Sequence, residues 1–192
     1  MDHRRRKFLG GAITLLVPVL FGASGGRPLD IGQAARNFET TSVQGEAVSL
    51  AIAIRDHKAV VVLFTSTVCP YANYFASHVR DLSENYGPRG VLFLGVNSNN
   101  WESHQDVVDY IRERGVGFPM LKDQRHVIAD QFGATRTPEA FLLDSTGRLR
   151  YRGWVKSKQE SPDLERAIEA VIDGRQVQRP VTKAFGCAVD RF

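Results

Sequence analysis

A chain of 192 residues, 43% hydrophobic, is long enough to bury one substantial α/β core and requires no second domain. Of its formal charge of +4, residues 1–24 carry a net +3 (four basic residues less Asp2), which leaves only +1 on the remainder. No later basic run interleaves with aromatic residues, so the electrostatic footprint of a nucleic-acid-binding surface is missing; two cysteines, Cys69 and Cys187, exclude a disulfide scaffold but allow one bridge in an oxidising compartment.

The N-terminus reads as an address. Arg4-Arg5-Arg6-Lys7 precedes an apolar run from Phe8 to Phe21 and the small residues Gly22-Ala23-Ser24, the layout of a secretory signal. Arg5-Arg6-Lys7-Phe8-Leu9 is similar to the twin-arginine export motif of bacteria. The apolar run falls short of the roughly 20 residues of a spanning helix, and Gly10, Gly11 and Pro18 weaken it further. A cleaved signal over residues 1–24 is therefore expected, with a permanent N-terminal anchor as the alternative. It would deliver one domain, residues 25–178, and a tail, residues 179–192, to the periplasm without a stable membrane span.

Past a Gly- and Pro-containing lead-in, the apolar patch Val48-Ser49-Leu50 suggests a first strand. Ala59 to Phe64 is a continuous, mostly β-branched run, the composition of a strand buried on both faces of a sheet. Thr65 to Val68 form a polar turn, and Cys69-Pro70 opens a helix whose apolar residues recur at helical spacing up to Tyr86, with Pro70 suited to its first turn. Gly87-Pro88 stops that helix. Val91 to Val96 is a second buried strand, followed by the polar loop Asn97-Ser98-Asn99-Asn100. A helix over 104–114, a short extended segment at 118–121 and a short helix over 125–132 come next. Phe141–Asp144 and Leu149–Gly153 flank a Ser-Thr-Gly turn and read as a hairpin, and Pro162 begins an amphipathic helix that ends at Gly174. The tail to Phe192 reads as irregular.

A cysteine at the first turn of a helix faces backbone N–H groups and the positive end of the helix dipole, which favour the reactive thiolate. A polar turn leaving a buried strand is also where open α/β sheets place their chemistry. A small buried hydrophobe is the alternative for any lone cysteine. The histidines His57, His78, His104 and His126 are scattered without the spacing of a zinc site, and no metal or cofactor is expected. Trp101 and Trp154 read as packing aromatics.

Phe64-Thr65-Ser66-Thr67-Val68-Cys69-Pro70, together with Thr137 to Asp144 and Tyr151-Arg152-Gly153, resembles the redoxin group, the alkyl hydroperoxide reductase/thiol-specific antioxidant-like branch of the thioredoxin superfamily. The resemblance implies a thioredoxin-like α/β fold, a central mixed sheet flanked by helices, with Cys69 at the active-site helix. It also implies a cis-Pro138 facing that cysteine, with Thr137 and Pro70 beside it where substrate binds. The departures are specific. Ala72 stands where a Cys-x-x-Cys site has its second cysteine, and Asn73 where a copper-delivery loop has one. Val62 and Ser66 occupy the positions at which a typical peroxiredoxin has proline and threonine.

By that resemblance Ser66 is expected to donate a hydrogen bond to a thiolate or peroxide, and Arg136 is the candidate for a peroxidatic arginine. The ending Lys183-Ala184-Phe185-Gly186-Cys187 also resembles a recurring redoxin ending, and Cys187 is either a resolving thiol or a structural tail cysteine. The expected function is that of an exported thiol oxidoreductase. Cys69 would attack a disulfide or a small peroxide, and the partner would be a thiol or disulfide protein. The alternative is a non-catalytic module binding a partner or metal through the Cys69 face.

Overall fold

A computed structural model describes residues 27–156 and 161–191; the expected signal over 1–24 lies outside the described residues. The chain opens with a small antiparallel pair, β1 (Glu39–Thr41) and β2 (Ala47–Ser49), and runs directly into α1 (Leu50–Asp56). The expected strand at 48–50 therefore ends one residue sooner. Leu50 is fully buried as the first residue of α1.

β3 (Ala59–Phe64) has all six side chains buried, as its unbroken apolar run demands. α2 (Pro70–Tyr86) follows, then a single 3₁₀ turn at Gly87–Arg89 and β4 (Val91–Asn97). α3 (His104–Arg114) starts on a reciprocal cap in which Ser103 and Asp106 bind each other's backbone N–H, and stops at Gly115 in the left-handed region. β5 (Met120–Lys122), α4 (Val127–Phe132), β6 (Arg136–Thr137), β7 (Glu139–Asp144), β8 (Leu149–Gly153), α5 (Asp163–Ile172) and β9 (Cys187–Ala188) complete the order.

The central sheet has the order β5-β4-β3-β7-β8; β3 runs parallel to β4 and antiparallel to β7, so the sheet is mixed. Successive side chains of β3 point to opposite faces. Val61 and Leu63 pack with Val79 and Leu82 of α2, Val107 of α3 and Leu164 and Ile168 of α5. Val60, Val62 and Phe64 pack with Leu50 and Ala53 of α1 and Ile128 and Phe132 of α4. Helices thus cover both faces, which is the thioredoxin-like arrangement.

The tail is ordered rather than irregular. Arg152 N–H donates to the Pro180 carbonyl and Thr182 N–H to the Arg152 carbonyl, and the Thr182 hydroxyl is shared with Tyr151 and the backbone of Trp154. β9 then pairs antiparallel with β6, with Thr137 opposite Cys187. The sequence carried no sign of this because a two-residue strand has no alternation to read. Among the described residues, no helix is long and apolar enough to cross a membrane.

Candidate active site

Cys69 caps the N-terminus of α2, between the end of β3 and Pro70 at the first helical position. Parallel β3 and β4 deliver two loops to the same end of the sheet, and β6, which is followed by a cis Thr137–Pro138 peptide, meets them through the Thr137 carbonyl. Cys69 is 1% exposed, and its Sγ donates to the Thr137 carbonyl at 3.0 Å. Its backbone N–H donates to Ser66 Oγ at 3.2 Å, and its carbonyl receives the N–H of Asn73.

The register of β6 and β9 sets Cys187 over this site, within hydrogen-bonding reach of Cys69. Gly186 makes the approach possible. Its φ is +135°, and a Cβ there would lie 2.1 Å from the Thr137 carbonyl oxygen, so no other residue fits. Phe185 anchors the same segment among aromatic rings, at centroid distances of 5.6 Å from Tyr71, 6.2 Å from Phe75 and 6.1 Å from Trp154. Trp154 is held in turn by its indole N–H, which donates to Asp163.

Burial pushes the Cys69 thiol up, but the side chains of Cys187 and Thr137 and the N–H groups of Ala72 and Cys187 outweigh it, and the net direction is below the ordinary thiol value. The Thr137 hydroxyl is buried and bonds no other group, which leaves it available to a sulfur that has lost its proton. Cys187 moves the opposite way: burial, its hydrogen bond to Cys69 and the charge on Cys69 all raise it, against the opposing charge of Arg136. One thiol is thus favoured as an anion, and its neighbour keeps a proton to donate to it.

Each residue singled out in the sequence has a definite place. Ser66 does not donate to the sulfur. Its single proton goes to Glu102 Oε1 at 2.6 Å, and its oxygen receives the Cys69 N–H. Arg136 lies exposed on β6, where its charge acts on Cys187, while its backbone N–H is held by the Glu139 carboxylate. Pro70 is exposed beside the site, the Thr137 carbonyl receives the Cys69 thiol, and Pro138 follows across a cis peptide.

Glu102 escaped the sequence reading. It is 1% exposed, and its carboxylate receives Ser66 Oγ, the Thr67 N–H at 2.6 Å, Asn97 Nδ2 at 2.7 Å and Asn99 Nδ2. Burial raises its carboxyl, but these donors overcome that and hold it below the usual carboxylate value. Lys122 Nζ closes the network by donating to Asn97 Oδ1 at 2.7 Å and to the Asn99 carbonyl. The one sequence signal was the amide-rich loop leaving β4 at the end of the sheet that also carries Cys69. Among the described residues, no group of three or more His, Cys, Asp or Glu side chains is arranged to hold a metal ion.

The family model of the AhpC/TSA family matches residues 31–152. The thiol-disulfide oxidoreductase ResA of Bacillus thuringiensis subsp. konkukian (strain 97-27) is 23% identical over 145 residues, which cover 74% of this chain and 79% of that protein. The crystal structure of a hypothetical protein, SMc02350, from Sinorhizobium meliloti 1021 superposes with a TM-score of 0.77 at 27% identity, covering 85% of this chain and 95% of the other. A thiol:disulfide interchange protein of the thioredoxin family from Chlorobium tepidum TLS shares the fold at a TM-score of 0.62 and 22% identity, over 74% of this chain and 98% of its own.

Proposed function

The chain belongs to the AhpC/TSA family, and on that premise we propose that it is an exported thiol oxidoreductase with Cys69 as nucleophile and Cys187 as resolving thiol. The observation that carries this is the pairing of Thr137 with Cys187, which brings the two cysteines together across β6. The Cys69 thiolate attacks one sulfur of a partner protein's disulfide, forming a mixed disulfide and expelling the other partner sulfur as a thiolate. Cys187 then loses its proton to that thiolate and attacks the Cys69 sulfur. A Cys69–Cys187 disulfide forms, the second partner thiol leaves, and two electrons have passed to the partner. With a small peroxide, the same attack gives a Cys69 sulfenic acid and releases an alcohol or water, and Cys187 displaces water from it to form the same bridge. In either case residues 185–188 must lift from β6 first, since Cys69 is buried beneath them.

Reduced protein treated with a disulfide substrate or hydrogen peroxide should yield a Cys69–Cys187 linked peptide on mass-spectrometric mapping. If neither oxidant gives the bridge or any turnover, and Cys69→Ser still binds its partner, the alternative of a non-catalytic binding module is the correct one. The export reading rests on Arg5-Arg6 and the short apolar run that follows. Changing both arginines to lysine should leave the protein in the cytoplasmic fraction with residues 1–24 still attached; normal export of that variant would refute the twin-arginine assignment.

A further inference from the structure

Two segments that carry cysteines, the turn at 66–69 and the tail at 187–190, are far apart in sequence yet share one buried carboxylate. From Cys69 the hydrogen bonds run from its N–H to Ser66 Oγ, and from that hydroxyl to Glu102 Oε1. On the far side Asn99 Nδ2 donates to the same Oε1, while Asn99 Oδ1 accepts the backbone N–H of Asp190 at 2.8 Å. Asp190 lies three residues beyond Cys187.

We infer that Glu102 and Asn99 form a positioning bridge that holds the Cys187 strand in register with the Cys69 turn and so sets how readily the two sulfurs meet. The inference rests on the proposed pairing of Cys69 with Cys187. Asn99 suits this role because both ends of its amide are committed: turned over, it would present its NH₂ to the Asp190 N–H and its oxygen to a carboxylate. The tail has other anchors as well. His126 Nε2 meets the Asp190 carbonyl at 2.8 Å, and Val189 N–H donates to the Thr135 carbonyl at 3.1 Å. Loss of the Asn99 contact therefore loosens the position of Cys187 without releasing the tail, and catalysis by proximity is sensitive to a displacement of that kind.

Glutathione redox buffers measure this directly. Cys69 attacks oxidised glutathione and releases one glutathione thiolate; Cys187 attacks the mixed disulfide at the Cys69 sulfur and releases the second, so the protein loses two electrons and glutathione disulfide gains them. The equilibrium constant is the effective concentration of Cys187 at Cys69. Asn99→Ala should lower it by about tenfold, the size of effect expected from removing one or two hydrogen bonds to buried partners, and should not slow the first attack, which requires the tail to lift. Asn97→Ala is the control, because it removes another amide donor to Glu102 and leaves the Asp190 contact intact; it should shift the constant much less.

Hydrogen exchange supplies a second readout. Glu102→Gln should speed exchange of the Asp190 amide, although Glu102 does not touch it. Equal constants for Asn99→Ala and wild type, equal shifts for Asn97→Ala and Asn99→Ala, or unchanged Asp190 exchange in Glu102→Gln would each overturn the bridge. A wild type that stalls at the mixed disulfide in the same buffers would overturn the pairing of the cysteines, and the bridge with it.

Discussion

Cys69→Ser should lower thiol–disulfide exchange by at least about a thousandfold, because a serine hydroxyl is not ionised at neutral pH and cannot form a disulfide. Cys187→Ser should behave differently. The first attack should proceed at nearly the wild-type rate, and the reaction should then halt: with a disulfide the protein stays as a mixed disulfide, and with peroxide sulfinic acid accumulates at Cys69. The pH dependence follows from the downward direction of the Cys69 thiol. The alkylation rate of Cys69 in the wild-type protein, followed by mass-spectrometric mapping of the Cys69 peptide, should level off below the ordinary thiol value of about 8.5. An inflection at or above that value would count against an activated nucleophile. A Cys187→Ser protein that recycles as fast as wild type and never over-oxidises would remove Cys187 from the mechanism and leave an external thiol to resolve Cys69.

The contrast between the two cysteines shows what the sequence could convey. Cys69 was legible because its setting is local: a β-branched run, a polar turn and Cys-Pro at the start of a helical pattern lie within about a dozen residues, and each is a strong signal. The core strands β3 and β4 were legible for the same reason. For Cys187 the resemblance of its ending left two roles open, a resolving thiol or a structural tail cysteine, and nothing local chose between them. What brings it to Cys69 is a two-residue pairing with β6, a glycine at φ +135° beneath the Thr137 carbonyl and a phenylalanine seated among three rings, none of which has a periodic signature. β1 was lost to shortness, at three residues, while β2, equally short, was expected one residue out of place. Ser66 lies beside Cys69, but the direction of its hydrogen bond depends on an acceptor 36 residues away. Glu102 itself looks like an ordinary surface acid just ahead of a helix. Its burial is the work of Asn97 and Asn99 on its own loop and of a turn delivered by the neighbouring strand, and only the β3–β4 pairing brings these together.

Glu102→Ala should be among the most destabilising single changes in the domain, at roughly 3–5 kcal/mol, because a buried charge with four donors is removed and the donors remain. Ser66 can rotate and a water can enter, but the Thr67 N–H is fixed by the backbone, and the Oδ1 atoms of Asn97 and Asn99 are already committed to Lys122 and Asp190. Lys122 would also lose the largest of the three negative charges, Glu102, Asp123 and Asp106, that offset its own burial. For a domain of this size that loss corresponds to a fall in melting temperature of roughly 10 °C or more. Glu102→Gln keeps the shape and one acceptor oxygen, and should cost less. The pH dependence separates charge from shape. Glu102 is depressed on folding, so its contribution is present above its unfolded value, near 4.5, and is lost as pH falls through the lower folded value. The stability difference between wild type and Glu102→Gln should therefore be constant near neutral pH and shrink below that value. Denaturant titrations at neutral and acidic pH measure both quantities. A Glu102→Ala protein as stable as wild type, or a gap to Glu102→Gln that does not narrow in acid, would show that this carboxylate does not hold the Cys69 turn in place.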